Sequence, residues 1–466
     1  MKFKGISEDT IAAISTPLGQ GGIGIVRISG PQAFAIAKKI FSLKNKNPPL
    51  PPLKNRKILY GFIHEPKTGD TIEEVLISLM KGPKTYTRED IVEINCHGGF
   101  LSLRKVLEIV LLCGARAAEP GEFTKRAFLN GRIDLVQAEA IADFIRAKTE
   151  RALKMSFHQI KGGLSQEIDG LKQRLIRLIA HIEAKIDYPE EDMKELSKHD
   201  IIKELKNLDK GFSVILKTAD DGRALREGIK IGIIGRPNVG KSSLLNRLLE
   251  EDRAIVTPIP GTTRDTLEEE INIDGIPFVV IDTAGIRDSK NIIEKEGVSR
   301  SYKVLFAADM LLLVIDGSAS LTDEDKKLLE LTKSRKVIRV INKVDLQRNV
   351  CYNKDGLLEG KDIIRVSALK NLGIEGLREK IKDNIFKCGL FSDNEEIKVS
   401  NIRQIELLRK GKECLDRTQE AAAQGLSEEF ISHDLILCLE FLEQITGKQG
   451  REDIINEIFS QFCLGK

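Results

Sequence analysis

Apolar residues recur along parts of the chain with the period of a helix, and this pattern divides the sequence into regions. Between residues 164 and 186, leucine and isoleucine return at steps of three and four, which predicts a long helix with one apolar face. The same pattern returns after residue 400. Each half has one apolar face and no partner of its own, so we expect the halves to pack together around an inserted segment.

The inserted segment alternates short apolar runs with helical stretches, which is typical of a doubly wound α/β sheet. A polar or glycine-containing motif follows each run closely. These motifs would then lie at the carboxyl ends of the strands, where open α/β sheets bind ligands. The predicted strands span 230–234, 278–281, 311–315 and 337–341.

Together these patterns predict a multidomain protein of mixed α+β and α/β class. Residues 1–122 combine short strands, such as 23–28 and 91–94, with glycine turns and predict an α+β domain. The other predicted boundaries are 123–225 and 386–466 for a discontinuous helical domain, and 226–385 for the inserted α/β domain.

Composition narrows the class of protein further. The 73 basic and 70 acidic side chains nearly balance at a net charge of +3, so any RNA binding must use a local patch. No apolar run approaches the roughly 20 residues that cross a bilayer, and the first ten residues lack the apolar segment of a signal peptide. These two absences predict a protein without membrane contact. The seven cysteines form no CxxC pair, which favours reduced thiols and a cytoplasmic protein.

Residues 235–242 match the phosphate-binding pattern G-x-x-x-x-G-K-[ST] directly after a predicted strand. The glycines would let backbone N–H groups surround phosphates, while Lys241 would reach the β and γ phosphates. The hydroxyl of Ser242 would bind Mg²⁺. A chance glycine turn is the alternative, but the position between strand and helix favours nucleotide binding.

Three further motifs follow in the order typical of a GTPase. Asp282 of the 282–285 motif (DTAG) can reach Mg²⁺ through water, and the Gly285 N–H can contact the γ-phosphate. Asp345 of the 342–345 motif (NKVD) can accept hydrogen bonds from guanine N1–H and its amino group, a pair that adenine lacks. Ser367 of the 367–369 motif (SAL) would brace the edge of the base.

The residues that would cleave the phosphate bond are harder to recognise. Thr263, within the 257–265 loop, is a natural second hydroxyl for Mg²⁺. Ile286 occupies the position where many GTPases place the glutamine that orients water, so another group must do so. Glu294 and Glu296 are equal candidates on the residues alone, and either could be a solvated helix carboxylate.

From end to end, the chain resembles the MnmE (TrmE) family of tRNA-modifying GTPases. The motifs 120–130 (PGEFTKRAFLN) and 462–466 (FCLGK) are far more specific than the GTPase motifs. The resemblance also includes 9–13 (DTIAA), 21–27 (GGIGIVR), 93–99 (EINCHGG) and 261–265 (GTTRD).

The resemblance implies an N-terminal folate-binding and dimerisation domain, a helical domain and an inserted Ras-like GTPase domain. Family members form homodimers and work with the FAD-dependent protein MnmG in a heterotetramer or larger complex. They add an aminomethyl or carboxymethylaminomethyl group at C5 of wobble uridine 34 in certain tRNAs. A folate such as 5-formyltetrahydrofolate supplies the one-carbon unit.

The resemblance also assigns roles to particular residues. Glu294 matches the glutamate that orients water. A K⁺ ion would replace the arginine finger, held by Asn238, Thr262 and the backbone carbonyls of Thr257 and Ile259. Mg²⁺ would be held by Ser242 and Thr263. The implied GTP-binding set is Asn238, Val239, Gly240, Lys241, Ser242, Ser243, Thr257, Pro258, Ile259, Pro260, Gly261, Thr262, Thr263, Asp282, Thr283, Ala284, Gly285, Asn342, Lys343, Asp345, Ser367 and Ala368.

For folate, the resemblance implies contacts from Arg27, Glu93, Arg132 and Lys466, although the family often has lysine at the third position. Without the resemblance, each would be an ordinary surface ion pair. Cys463 would lie near this site and could take part in the modification chemistry, or it could simply be a small apolar residue.

Two other functions fit the GTPase motifs. The chain could be a regulatory switch in ribosome or RNA assembly without modification chemistry of its own. It could also be a folate-dependent methyltransferase that acquired a GTPase domain. The front domain and the FCLGK motif favour the tRNA-modifying enzyme, and the lack of an oxidoreductase domain fits an external flavoprotein.

Overall fold

The computed structural model describes residues 9–43, 58–187, 197–250, 269–281, 305–346, 362–387, 390–391, 397–448 and 452–466. These residues form two compact units, each made of separate stretches of chain. The first unit comprises the described parts of Met1–Ala142, His158–Asp209 and Lys410–Lys466. The second comprises those of Asp143–Phe157 and Lys210–Arg409.

The strands of the described residues belong to two sheets, one in each unit. The first sheet contains β1 (Ile11–Ile14), β2 (Gly21–Ser29), β3 (Phe41–Leu43), β4 (Ile58–His64), β5 (Thr71–Met80), β6 (Ile91–Gly98) and β7 (Arg116–Ala117). The second contains β8 (Ile229–Ile234), β9 (Glu269–Ile273), β10 (Ile276–Ile281), β11 (Met310–Asp316), β12 (Val337–Asn342) and β13 (Ile363–Arg365).

The helices alternate with these strands or follow one another in long runs. In chain order they are α1 (Ala33–Ile40), α2 (Phe100–Leu112), α3 (Glu122–Leu129), α4 (Leu135–Arg146), α5 (Glu150–Ile160), α6 (Gly163–Asp187), α7 (Lys198–Leu216), α8 (Ala219–Glu227), α9 (Lys241–Glu250), α10 (Asp323–Leu331), α11 (Ile374–Lys387), α12 (Ile402–Gln424), α13 (Glu428–Thr446) and α14 (Glu452–Ser460). None of the described helices is long and apolar enough to cross a bilayer.

The sheet of the first unit has the order β3-β4-β5-β6-β2-β1-β7 and is antiparallel except for the β1–β7 pair. α1 and α2 pack against it through a shared apolar core. The register of β2 and β6 places Arg27 opposite Glu93. Because facing residues on neighbouring strands lie close together, this register brings a cation and a carboxylate into contact.

The two stretches of helix in the first unit pack together, as their apolar stripes predicted. α6 buries the residues of its stripe from Leu164 to Ile182. Its carboxyl-terminal half contacts the start of α13, where Lys185 Nζ donates to Glu428 Oε1 at 2.6 Å and Ser432 Oγ donates to Glu183 Oε1 at 3.3 Å.

The sheet of the second unit has the order β13-β12-β11-β8-β10-β9 and is parallel except for β9. Alternate residues of β11 enter two different cores: Leu312 and Val314 join one with α9 and α11, and Leu313 joins the other with α10. Helices therefore cover both faces, which is the predicted doubly wound arrangement. The mixed, multidomain fold class is confirmed, whereas the domain boundaries stay predictions.

Candidate functional site

The phosphate loop connects the buried central strand β8 to the first turn of α9. Its backbone takes positive φ at Asn238 (62°) and Gly240 (96°). A Cβ at Gly240 would lie 2.2 Å from Asn342 Nδ2, so this position requires glycine for both conformation and space. The loop therefore has the shape in which backbone N–H groups can surround an anion at a helix N-terminus.

Lys241 lies at the start of α9, and its ammonium group points back into the loop. Nζ donates to the backbone oxygens of Gly235 at 2.6 Å and Arg236 at 2.9 Å. Burial lowers the pKa of Lys241, and the nearby carboxylate of Glu324 partly offsets this effect. Within the described residues these hydrogen bonds of Nζ go to carbonyl oxygens, which a half-buried cation can exchange for phosphate oxygens.

Asn342 joins the three loops of the site. Its Nδ2 donates to Val239 O in the phosphate loop at 2.9 Å, and its Oδ1 accepts from Ala368 N at 3.0 Å. The side chain is almost fully buried at 2% exposed. Because both ends of the amide are used, Asn342 fixes the spacing between the phosphate loop and the predicted base-binding loops.

Lys343 leaves β12 with φ of 64° and reaches across to the phosphate loop. Its Nζ donates to Asn238 O and to Asp316 Oδ2, each at 2.7 Å. Asp316 is a site residue that the sequence analysis missed. Its position at the carboxyl end of the buried strand β11 was the available signal.

Asp316 is nearly buried yet charged. Burial raises its pKa, but hydrogen bonds from Lys343 and Ser318 outweigh this, so the pKa of Asp316 lies below its ordinary value. The sequence analysis also missed the structural role of Arg236 in the loop. Its Nε lies 3.2 Å from Asp325 Oδ2, and its NH2 lies 3.9 Å from Asp316 Oδ2. Asp316 therefore pairs with Lys343, which follows β12, and Asp325 pairs with Arg236 of the phosphate loop.

The predicted base-reading residues lie beside this frame. Asp345 follows Lys343 in an exposed turn that is closed by a hydrogen bond from Leu346 N to Lys343 O at 3.1 Å. Ser367 is fully buried, and its Oγ accepts from Lys370 N at 3.1 Å. The Asp345 carboxylate is thus open to a ligand, while Ser367 shapes the loop that carries Ala368.

Several predicted residues lie outside the described residues, so their roles stay predictions. They are Thr257, Pro258, Ile259, Pro260, Gly261, Thr262, Thr263, Asp282, Thr283, Ala284, Gly285 and Glu294. Asp282 directly follows the end of β10 at Ile281. Val239 is fully buried in the core below the loop, whereas Ser243 is exposed on α9.

The described residues offer oxygen donors, the chemical type that the predicted Mg²⁺ and K⁺ ions prefer. No group of three or more His, Cys, Asp or Glu side chains that could hold a metal occurs within the described ranges. Ser242, in the first turn of α9, offers a hydroxyl, and Asn238 offers an exposed amide oxygen from its left-handed backbone. Hard oxygen donors of this type suit Mg²⁺ and K⁺ in a site that a nucleotide completes.

A second candidate site lies in the first unit, around the facing pair of β2 and β6. Arg27 Nε donates to Glu93 Oε1 at 2.9 Å, and NH2 lies 2.8 Å from the same oxygen. The two side chains are 20% and 24% exposed, so the pair is partly open to solvent. Ordinary surface ion pairs contribute little, but this one is held by the register of two strands.

Residues 463–466 close against this pair from the other end of the chain. Gly465 O accepts from Ser15 Oγ at 3.1 Å and from Arg27 NH1 at 3.5 Å. Phe123 N donates to Lys466 O at 3.2 Å. The backbone at Gly465 and Lys466 therefore lies beside Arg27 and Phe123, and the folate role of Lys466 stays a prediction.

Arg132 reaches the same neighbourhood through Tyr86. Its NH1 donates to Tyr86 O at 2.9 Å, and its Cζ lies 4.6 Å from the centre of the Tyr86 ring. Arg27 Cζ lies 5.9 Å from that same ring centre. Tyr86, which the sequence analysis missed, therefore connects Arg27 and Arg132, while all four folate contacts stay predictions.

The described cysteines differ sharply in environment. Cys96, Cys113, Cys414, Cys438 and Cys463 are all free. Burial raises the pKa of Cys96 to about 12, and it also raises the pKa of Cys438. Cys463 is exposed and adjoins the second site through its backbone oxygen, which accepts from Gly121 N at 3.3 Å. Cys463 is therefore the most exposed of these five thiols.

Comparisons with known proteins agree over almost the whole chain. A family model described as "MnmE helical domain" matches residues 135–463, and one described as "GTP-binding protein TrmE N-terminus" matches residues 10–132. The chain is 48% identical to the tRNA modification GTPase MnmE of Bacillus licheniformis, over 98% of this chain and 100% of that protein. It is 46% identical to the protein of the same description from Desulforamulus reducens, again over 98% and 100%. The protein of that description from Lactiplantibacillus plantarum is 46% identical, over 98% of each chain.

Proposed function

The chain belongs to the MnmE family of tRNA modification GTPases, and from that premise we propose how its two sites serve the modification of tRNA. The enzyme hydrolyses GTP in the second unit. The single observation that carries this assignment is the Asn342 amide, which joins the phosphate loop at Val239 to the base-binding loop at Ala368. A frame of this kind places phosphates and a purine base at a fixed separation.

In the GTPase reaction, Lys241 exchanges the carbonyl oxygens of Gly235 and Arg236 for phosphate oxygens and offsets the negative charge that develops there. Asp345 accepts hydrogen bonds from the guanine edge and so excludes adenine. Ser242 and Thr263 would hold Mg²⁺, and Asn238, Thr257, Ile259 and Thr262 would hold K⁺. When bound, these cations neutralise charge on the phosphates. Glu294 would orient the attacking water.

In the first unit, Arg27, Glu93, Arg132 and Lys466 would bind a reduced folate such as 5-formyltetrahydrofolate. The mixture of guanidinium, ammonium and carboxylate groups is suited to a ligand with a hydrogen-bonding pterin and an anionic glutamate. The folate would supply the one-carbon unit for the modified base. The contacts of Arg27 with Glu93 and with the backbone of Gly465, and of Arg132 with the Tyr86 ring, support this proposal.

The complete reaction would also need partners. We propose that the chain acts as a homodimer with an FAD-dependent MnmG protein, and that the product is an aminomethyl or carboxymethylaminomethyl group at C5 of wobble uridine 34. The full-length similarity to proteins described as tRNA modification GTPases supports this assignment.

Mass analysis of wobble nucleosides tests the proposed function. Cells that lack the gene should lose the C5 modification, and the wild-type chain should restore it. If the level of C5-modified wobble uridine is the same in cells with and without the gene, the proposal is refuted. That result would favour a regulatory GTPase in RNA assembly.

The proposed hydrolytic groups need a separate test. Glu294→Ala should retain GTP binding and lose most hydrolysis, whereas Glu296→Ala serves as the matched control and should turn over normally. Hydrolysis should also be faster in K⁺ than in Na⁺ at equal ionic strength. Normal turnover by Glu294→Ala would exclude its role, and equal rates in the two salts would exclude the K⁺ site.

A further inference from the structure

We propose that Tyr86 is a positioning residue of the folate site, whose ring holds the guanidinium groups of Arg27 and Arg132 so that both serve one ligand. The inference rests on the proposed folate function and deepens it. Neither the sequence motifs nor the family resemblance identified this residue. It is the one side chain described here that contacts both predicted arginines through its ring.

The geometry of the ring carries the proposal. The guanidinium carbons of Arg27 and Arg132 lie 5.9 Å and 4.6 Å from the ring centre. Both distances fall within the roughly 6 Å at which a cation is attracted by an aromatic ring. Two guanidinium groups repel each other, and the electron-rich ring reduces the cost of holding them near one another before an anion arrives.

Tyr86 is itself held at both ends. Its hydroxyl lies 2.9 Å from Oγ1 of Thr124, which is fully buried, and its backbone oxygen accepts from Arg132 NH1 at 2.9 Å. The ring packs against a small buried cluster that includes Phe123. Burial raises the pKa of Tyr86 despite opposing effects of Thr124 and the two arginines, so the phenol stays neutral.

The two arginines differ in how much else fixes them. Arg27 is held by Glu93 and by Gly465 O, and it also lies 5.6 Å from the ring centre of Phe123. Arg132 is exposed, and among the described residues its guanidinium group contacts the backbone oxygen and the ring of Tyr86. Removal of the ring should therefore release Arg132 far more than Arg27.

This arrangement matches the two chemical ends of a folate. Both contacts of Arg27 with Glu93 use Oε1, which leaves Oε2 to accept hydrogen bonds from a pterin N–H edge. Arg132, free at one side to solvent, is suited to a glutamate carboxylate. The Tyr86 ring would thus set the distance between Arg27, which orients Glu93, and Arg132, which would bind the glutamate carboxylate of the folate.

Calorimetric titration of the full-length protein with 5-formyltetrahydrofolate tests the role of the ring. Tyr86→Leu should bind about tenfold more weakly, which lies within the range of cation–π effects, while Tyr86→Phe should stay within about twofold of wild type. GTP hydrolysis and the melting temperature should not change in either variant. If Tyr86→Leu melts early, Tyr86→Met replaces it as an unbranched variant of similar volume.

A double-mutant cycle separates positioning from a general structural effect. Arg132→Gln should weaken folate binding about tenfold in the wild-type background and no more than about threefold beside Tyr86→Leu, because coupled residues are not additive. Equal effects of Arg132→Gln in the two backgrounds, or equal binding by wild type and Tyr86→Leu, would overturn this inference alone. Absence of folate binding by the wild type would overturn the proposed folate function itself.

Discussion

The nucleotide site lies where parallel strands of one sheet end, whereas the candidate folate site lies where distant parts of the chain meet. Asn342 ends β12, and the phosphate loop follows β8 in the same sheet. By contrast, Arg27 on β2 faces Glu93 on β6 and contacts Gly465, which is 438 positions away. A site of the first kind consists of short motifs, and a site of the second kind depends on the whole unit.

This difference has energetic consequences. In the nucleotide site, each loop is anchored to a buried strand, so substitution of a ligand-contacting side chain such as Lys241 or Asp345 should remove its own interaction and leave the frame around Asn342 intact. In the candidate folate site, the predicted ligand-binding groups also hold one another, as Arg27 holds Glu93 and Gly465. Substitutions there should affect binding and the packing of residues 463–466 together.

The largest expected effect is in the nucleotide site. Lys241→Ala should lower kcat/KM for GTP by about 10²- to 10³-fold, the usual loss when a charge-stabilising donor is removed from a reaction centre. Lys333→Ala, which changes a lysine that is 58% exposed on the protein surface, is the matched control. Equal kcat/KM values for GTP in the two variants would contradict the assignment of residues 235–242 as the phosphate-binding loop. The melting temperature should stay close to wild type if the frame is independent of Lys241.

A smaller effect is expected for Asp345, the residue predicted to recognise the guanine base. Asp345→Asn should weaken GDP binding by about tenfold to a hundredfold, since hydrogen bonds to a charged group contribute about 1.5–3 kcal/mol. ADP binding should change little, so the ratio of GDP affinity to ADP affinity should fall. Asp383→Asn, at an exposed position of α11, is the control. An undiminished preference for GDP in Asp345→Asn would place base recognition elsewhere.

How much of each site could be predicted follows from the same contrast. Lys241, Ser242, Asn342 and Asp345 were recognisable because each belongs to a short motif after an apolar strand. Asp316 was missed because a lone carboxylate at a strand end has no motif, and its link to Lys343 is visible only in the structure.

The predicted folate residues could be proposed only through the family resemblance. Charge and spacing give no reason to associate Arg27 with Lys466, because the contact depends on strand register and on the docking of residues 463–466. Tyr86 was missed for the same reason, since a half-buried tyrosine in a turn-rich segment carries no signal of its own.

The comparison can be sharpened at Arg27. Arg27→Lys keeps the charge but loses the planar group that contacts Glu93 and Gly465 together, so folate binding should fall about tenfold. Arg104→Lys, on α2, changes an arginine that is 61% exposed and also paired with a glutamate. It should bind folate normally. GTP hydrolysis should be unchanged in both, and folate binding by Arg27→Lys at the wild-type level would contradict the site.

The smallest expected effect is at Ser15. Ser15→Ala removes the hydroxyl that donates to Gly465 O at 3.1 Å. Loss of one such bond costs about 0.5–1.5 kcal/mol, which corresponds to a twofold to tenfold loss in folate affinity if the bond supports the site. Ser15→Ala should change the rate of GTP hydrolysis little. A variant that binds folate as tightly as wild type would show that this hydrogen bond does not support the site.

The most direct test of the central claim is the affinity of the purified protein for GDP and ADP, measured by calorimetry under identical Mg²⁺ and K⁺ concentrations. The frame around Asn342 and the open carboxylate of Asp345 predict that GDP binds at least about a hundredfold more tightly than ADP. Equal affinities for the two nucleotides would contradict the account.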